Sequence, residues 1–254
     1  MPAVSSPAIV LSTVAYGETS KIARLATRAL GVVSVIAKGA RRPKSRFGAA
    51  LQALSEGAAS IIPARSSDLH TLASFDVERV HSGLAAQVDR FATASVLGEL
   101  MLRCAPHHGP PETYDFFRHA LDVLEAVPSD AVGVIGLRTI WGLVGQLGYT
   151  PRLEHCVRDG VPVPLDRPAA FSAALGGVLC DRCARGLDTS RLEPADRRDL
   201  ATLVAGDADL PDLDDRYLAA HRRLVDRYVR HHLAEGAALP ALAFWLDHSW
   251  APAP

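Results

Sequence analysis

Two hydrophobic periods divide the chain. In the first eighty residues the apolar positions fall in short runs rich in β-branched side chains, the pattern of strands. Farther on they recur at the 3.6-residue spacing of helices. Residues 8–16 read Ala-Ile-Val-Leu-Ser-Thr-Val-Ala-Tyr and stop at Gly17, which predicts a strand. Ile22, Leu25, Ala26 and Ala29 recur at helical spacing before Gly31, which predicts a short helix. Strands are expected again over 32–37, 58–63 and 69–75. Several short strands in so small a segment suggest a small β-barrel of the OB type. Beyond residue 80, Phe117, Leu121 and Leu124 form one helical stripe, and Leu137, Ile140, Trp141 and Val144 a second. A longer stripe joins Tyr217, His221, Leu224, Val225, Tyr228 and His232. Pro106, Gly109, Pro110, Pro111 and Pro128 punctuate these helices, and Trp245 and Trp250 are expected to anchor the last one.

The expected fold class is α+β and multidomain. An N-terminal OB-fold β-barrel covers 1–80, and a mainly α-helical domain follows over 81–254. A cysteine-bearing, knuckle-like insert interrupts the helices at about 148–186. No internal repeat or long low-complexity tract is visible. A length of 254 residues fits one or two domains, and 48% hydrophobic residues exclude disorder on composition.

The net charge of −1 conceals an asymmetry. Residues 1–80 carry ten Lys and Arg against five Asp and Glu, whereas 81–254 carry seventeen against twenty-three. A polyanion would therefore bind the first part. Between Ser20 and Phe47 stand eight basic residues and no acidic one. Lys21, Arg24 and Arg28 fall on one face of the expected helix, and Lys38, Arg41, Arg42, Lys44 and Arg46 on the loop after it. A solvated face ordinarily mixes both signs, so this cluster reads as a phosphate grip in which Gly39 and Pro43 shape the loop for backbone N–H contacts as well. The first eighty residues hold only Tyr16, Phe47 and Phe75 as aromatics, too few for a stacking platform. Binding should then be charge-driven, tolerant of single and double strands, and nearly blind to sequence. A surface that neutralises two strands at once also meets the physical requirement for annealing them.

Three of the four cysteines fall between 156 and 183. Cys180 and Cys183 form one C-x2-C half-site, and Cys156 opens another in which Asp159 takes the second position. Three readings stay open: Asp159 as an oxygen ligand to zinc, His155 as its substitute, or a site that has lost its metal. Any zinc would be structural, because four protein ligands leave no open position. Cys104 reads as a buried small hydrophobe. His107-His108 belongs to a loop, and His221 and His231-His232 read as solvated or core-lining, not as a catalytic metal site. The chain contains no G-x4-G-K-[ST], G-x-S-x-G or H-E-x-x-H, so no ATPase, hydrolase or metalloprotease centre is expected. No secretory signal or membrane-length apolar run is visible, and a reducing, cytoplasmic setting is expected.

The segments Tyr16-Gly-Glu-Thr-Ser-Lys-Ile22 and Ala37-Lys-Gly-Ala-Arg-Arg-Pro-Lys-Ser-Arg-Phe47 closely resemble the N-terminal domain of the bacterial RecO family of DNA repair proteins. Ala174-Leu-Gly-Gly-Val-Leu-Cys-Asp-Arg-Cys183 resembles the family's second zinc knuckle. The resemblance implies a DNA-binding OB-fold and a helical C-terminal domain. It implies annealing of complementary strands coated with single-strand-binding protein, contact with the C-terminal tail of that protein, and loading of RecA with the help of RecR and in some pathways RecF. Such a protein is a recombination mediator and not an enzyme. Two other readings stay open: a protein-interaction scaffold whose basic barrel is incidental, and an RNA-binding OB-fold protein without annealing activity.

Overall fold

Ala8, Val10, Ala23, Leu25, Val33, Val35, Ala59, Ile61, Leu72 and Phe75 are almost wholly withdrawn from solvent. They are the inward positions of five strands: β1 (Val4–Tyr16), β2 (Ser20–Thr27), β3 (Gly31–Ala37), β4 (Ser55–Ile62) and β5 (Leu69–Val80). The computed structural model, which describes residues 2–106, 109–206, 209–234 and 236–248, closes these strands into a barrel in the order β1-β2-β3-β5-β4. All neighbours are antiparallel except β3 and β5, and β4 returns to pair with β1. Closure removes the free sheet edges. The barrel expected from the sequence is therefore present, with the strand order of an OB-fold.

The short helix expected around Ile22 and Ala29 is instead β2, with Lys21 opposite Ala37, Ile22 opposite Ile36 and Arg24 opposite Ser34. Inward Ala23 and Leu25 are fully buried, but so is outward Ala26, because helices cover the outer face. A strand buried on both faces loses its alternation, and the remaining apolar spacing mimics a helix. The consequence for the basic residues is direct. Lys21 and Arg24, an odd number of positions apart on a strand, do not share a face.

The chain divides into two compact units, Met1–Ala126 and Val127–Pro254. In the first, α1 (Ser82–Ala85), α2 (Val88–Cys104) and α3 (Pro111–Ala126) follow the barrel. Phe117, Leu121 and Leu124 are fully buried, as their stripe predicts. An ionic network fastens α3 to the barrel. Arg79 pairs with Asp122 and, at 2.8 Å, with Glu125, which also receives His81 Nδ1 and the Gly83 N–H at 2.9 Å each. Arg118 bonds the buried Glu56 at 2.5 Å. Burial pushes the Glu125 carboxyl upward, but its bonds from His81, Gly83 and Arg79 outweigh this and hold it below the usual range. A carboxyl depressed in the folded state adds stability above its unfolded pKa of roughly 4.3 and loses it as pH falls through the folded value. Acid unfolding of the wild type should therefore steepen below about pH 4.3, and Glu125→Gln should flatten that limb in pH-resolved denaturant melts.

The second unit opens with a 3-10 turn (Ser129–Ala131) and α4 (Val132–Gln146), whose Leu137, Ile140, Trp141 and Val144 are all buried. The insert holds β6 (Ala169–Ser172), β7 (Gly177–Leu179) and α5 (Asp181–Ala184), and β8 (Ser190–Leu192) completes a sheet of order β7-β6-β8. It is followed by α6 (Pro194–Ala205), α7 (Asp215–His232) and α8 (Pro240–Asp247). Tyr228 of α7 meets Trp141 edge-on at 5.2 Å and lies 4.5 Å from the His232 ring. His221, Leu224 and Val225 are buried with it, whereas Tyr217, the first of the expected stripe, is 43% exposed at the helix start. Trp245 is buried beneath the Arg222 guanidinium, 5.3 Å from its ring. His107, His108 and Trp250 lie outside the described residues.

The insert is organised by one buried cation. Arg197 of α6 is fully buried and donates to the carbonyls of Leu153, Val163 and Arg167 at 2.7 Å and of Pro164 at 2.5 Å. Two stretches of the insert, at Leu153 and at residues 163–167, thus share a common donor.

Candidate nucleic-acid interface and metal centre

The connection from β3 to β4 is anchored from inside the barrel. Ala40, Phe47 and Leu51 insert into the barrel core, each less than 5% exposed. Gly39, at φ +74°, lets the chain turn back immediately after β3. Consecutive turns follow, with Arg42 N–H to Gly39 O at 3.1 Å, Ser45 N–H to Arg42 O at 3.0 Å and Gly48 N–H to Ser45 O at 3.2 Å. Arg41 braces the arch against the β1–β2 turn through its N–H to Thr19 O at 2.9 Å and its guanidinium to Gly17 O at 3.0 Å. The apolar side chains being committed inward, Lys38, Arg41, Arg42, Lys44 and Arg46 are left exposed. The Arg46 guanidinium lies over the ring of its neighbouring anchor, 5.2 Å from the Phe47 ring centre. Among the described residues no carboxylate pairs with any of these five.

Lys21 belongs to this end of the barrel, because its register partner Ala37 directly precedes Lys38. Arg24 and Arg28 do not. Arg24 reaches Leu102 O at 3.4 Å, and Arg28 is held by both Asp115 oxygens at 2.9–3.2 Å. The bonds it donates to Asp115, followed by the charge of that carboxylate, raise the Arg28 pKa further. The backbone contribution expected of the loop is also reduced. The N–H groups of Ala40, Arg41, Arg42, Ser45, Phe47 and Gly48 are already bonded within the protein. Side-chain charge on a rigid arch is what this surface offers a phosphate backbone.

In the second unit, Cys156, Asp159, Cys180 and Cys183 come together with one donor atom each, all within 4.8 Å of one another. A tight turn presents the first two: Cys156 N–H bonds Val161 O, and Gly160 N–H bonds Cys156 O, both at 2.9 Å, with Gly160 at φ +73°. Cys180 caps α5 and Cys183 lies one turn into it. Asp159 Oδ2 accepts from Cys183 at 3.1 Å, Cys180 at 3.4 Å and the Arg182 guanidinium at 2.9 Å. Bonds from the Cys156 and Cys183 thiols and from Arg182 hold the Asp159 carboxyl far below the ordinary range, and the same carboxylate pushes the Cys183 thiol up to about 12. Three sulfurs and one carboxylate oxygen at this spacing can hold a metal ion. Arg182 offsets part of the negative charge that such a set would leave around a divalent ion. His155 is exposed and stands outside the cluster, so Asp159, and not His155, completes it. Cys104 is half-buried at the end of α2, not fully buried as its apolar context suggests, because the helix stops there.

Glu56, His81 and Asp122 also lie close together. Arg118 and Arg79 already neutralise the two acids, and a cation placed among them would face both guanidiniums. Arg182 and Arg197 carry no sequence signal for their roles, since each sits in a polar, helix-starting context typical of surface arginines.

Two family models match the chain, "Recombination protein O N terminal" over residues 1–80 and "Recombination protein O C terminal" over 85–239. Curated relatives named DNA repair protein RecO agree. One from Anaeromyxobacter dehalogenans is 34% identical over 188 residues, covering 74% of this chain and 73% of the relative. One from Exiguobacterium sibiricum is 37% identical over 177 residues and 68% of each chain. One from a Nocardioides species is 30% identical over 235 residues, 90% of this chain and 94% of the relative.

Proposed function

Because the chain belongs to the RecO family of DNA repair proteins, we propose that its barrel arch is a phosphate grip for DNA and that the protein works as a recombination mediator, not as an enzyme. The observation that carries this reading is the arch itself. Five cations, Lys38, Arg41, Arg42, Lys44 and Arg46, are exposed on a backbone fixed by Phe47 and Leu51, with Lys21 beside them and no carboxylate paired to them among the described residues. Fixed, unpaired cations bind phosphates without first breaking internal ion pairs or ordering a loop. Such a surface takes single and double strands alike and neutralises two at once, which lowers the repulsion that opposes pairing. The reading extends to annealing of strands coated with single-strand-binding protein and, with RecR and in some pathways RecF, to loading of RecA. A cytoplasmic, nucleoid-associated location follows from that task; no described helix is long and apolar enough to cross a membrane.

The decisive comparison is annealing of complementary, protein-coated strands by the wild type and by an Arg41→Ala, Arg42→Ala, Lys44→Ala, Arg46→Ala variant. The variant should anneal at near the uncatalysed rate while keeping its melting temperature. Undiminished annealing would exclude the arch as the working surface and favour the scaffold reading.

Zinc is the metal that best suits a Cys3Asp set, held by Cys156, Asp159, Cys180 and Cys183 to fix the knuckle, with no part in chemistry. Metal analysis of the purified protein should give one zinc per chain. Asp159→Ala should weaken retention against a chelator by more than about tenfold, in line with the sensitivity of zinc sites to their immediate surroundings. Equal retention by wild type and variant would remove Asp159 from the ligand set.

A further inference from the structure

Tyr16 is the exposed aromatic of the barrel. Phe47 and Phe75 are buried in its core, whereas Tyr16, at the end of β1, is 52% exposed. Val14, two positions earlier and on the same face of the strand, is 59% exposed. Strand register carries this face across the sheet. Val14 stands opposite Ile22, Ile22 opposite Ile36, and Ile36 beside Thr71 of β5. The neighbours Ala23 and Val35 point into the barrel, so this row points out, and Ile22 and Ile36 are only partly covered. The other end of the face lies under helices: Ala26 is buried there, and Arg24 reaches Leu102 O of α2 at 3.4 Å. Single apolar side chains are ordinary on a protein surface, but Val14, Tyr16, Ile22 and Ile36 form one strip.

The strip runs into the arch. Ile36 is followed by Ala37 and Lys38, where the arch begins, and Tyr16 by Gly17, whose carbonyl receives the Arg41 guanidinium at 3.0 Å. Lys21, opposite Ala37, stands at the same end. Glu18 and Asp68 flank the strip in sequence, but Lys21, Lys38, Arg41 and Arg65 outnumber them. Small residues, Ser20 opposite Tyr16 and Ser34 next to Ile36 on this face, leave the surface open. No hydrogen bond or ring contact holds the Tyr16 side chain among the described residues.

An apolar strip continuous with fixed cations fits a polyanion that carries flat apolar groups beside its charges. An unpaired nucleic-acid strand is such a molecule, with phosphates along one side and open base faces along the other. In a duplex the base faces are stacked on one another and out of reach, so only the arch can act on it. An apolar protein segment would cover the strip too, but it leaves the adjoining cations without a use. Three aromatics are too few for a platform of several rings; here one ring is extended by the aliphatic side chains beside it. Stacking takes a base by its face and leaves its pairing edge free. A complementary strand, whose phosphates the arch also neutralises, can then read that edge.

We propose that the outer face of β1–β3 beside the arch is a base shelf for an unpaired strand, with Tyr16 stacking one base and Val14, Ile22 and Ile36 carrying its neighbour. This role rests on the arch as the phosphate grip. The arch holds single and double strands, whereas the shelf adds affinity for single strands alone.

Fluorescence anisotropy of labelled oligothymidylate and of a labelled blunt duplex, each titrated with the full chain, tests the assignment. Tyr16→Ala should lower oligothymidylate affinity at least ~fivefold and leave duplex affinity unchanged. The salt slope should stay as in wild type, since a stacked base releases no counterion. Tyr16→Phe should bind as wild type does. Oligothymidylate carrying iodouracil should crosslink to Tyr16 of the wild type on irradiation, the adduct being located by mass spectrometry. The four-alanine arch variant should instead lose single and double strands together, with a flatter slope, so failure of the grip and failure of the shelf read differently. Equal oligothymidylate affinity of Tyr16→Ala and wild type would overturn the proposal and leave the strip to an apolar protein partner. Equal losses on oligothymidylate and duplex would overturn it as well, because a duplex offers no base face. The ring is half exposed, so melting temperatures should hold. Should the alanine variant melt lower, the wild-type adduct decides alone, and its absence at Tyr16 overturns the proposal.

Discussion

Arg197→Met should loosen the cysteine-bearing insert while leaving the barrel folded. The guanidinium is fully buried and is the donor to four carbonyls, those of Leu153, Val163, Pro164 and Arg167. Methionine fills a similar volume but donates nothing, and each buried carbonyl left without a donor costs about 1–3 kcal/mol. Water that enters recovers part of this, so a net loss of about 3–5 kcal/mol is expected. Arg197→Lys should fall between, because an ammonium cannot reproduce the planar fork that reaches four acceptors. Thermal melts would show a new, lower transition. Limited proteolysis should cut the variant within 150–190 before it touches the first eighty residues. Metal retention should fall as well, since Cys156 and Asp159 lie on the chain that Arg197 organises. A variant melting within about 1 kcal/mol of wild type would mean that the four carbonyls find other partners.

Such a residue could not be found from the sequence. Arg197 follows Pro194 and Asp196 in a capping-box context, where an arginine is ordinarily solvated. What was legible rests on period and spacing. The runs leading to β1, β3, β4 and β5 alternate or are β-branched, and the C-x2-C of Cys180 and Cys183 with Cys156 and Asp159 at matching spacing placed all four residues of the cluster. β2 was misread because α2 and α3 cover its outer face, so Ala26 is buried beside Leu25 and alternation disappears. That error carried Arg24 and Arg28 into the basic surface. Charge counting along a chain cannot see Asp115, eighty-seven residues away, which neutralises Arg28. The arch came through because its five cations are contiguous. Its rigidity did not, because nothing in a basic loop announces that Phe47 and Leu51 turn into the barrel.

Removing the four arch charges at Arg41, Arg42, Lys44 and Arg46 should weaken single-strand binding by about two orders of magnitude at 0.15 M salt. The magnitude follows from counterion release. Each phosphate contact adds about 0.7 to the slope of log affinity against log salt for a single strand, so four contacts give a slope near −3. Extrapolated from 1 M, where this contribution vanishes, to 0.15 M, that slope corresponds to roughly 200-fold, or ~3 kcal/mol. Lys21 and Lys38 remain and should sustain weak residual binding. Double strands should weaken in parallel, with a steeper slope per contact. Sequence should matter little in either protein.

The central claim is that fixed, unpaired charge on the arch holds the DNA backbone. Its most direct test is the salt dependence of oligothymidylate affinity, measured for wild type and for the four-alanine variant side by side. Between 50 and 200 mM salt the wild type, with six cations on the strand, should lose about three-hundred-fold in affinity, and the variant, which keeps Lys21 and Lys38, less than about tenfold. A flat response in the wild type, or equal slopes in the two proteins, would contradict the account.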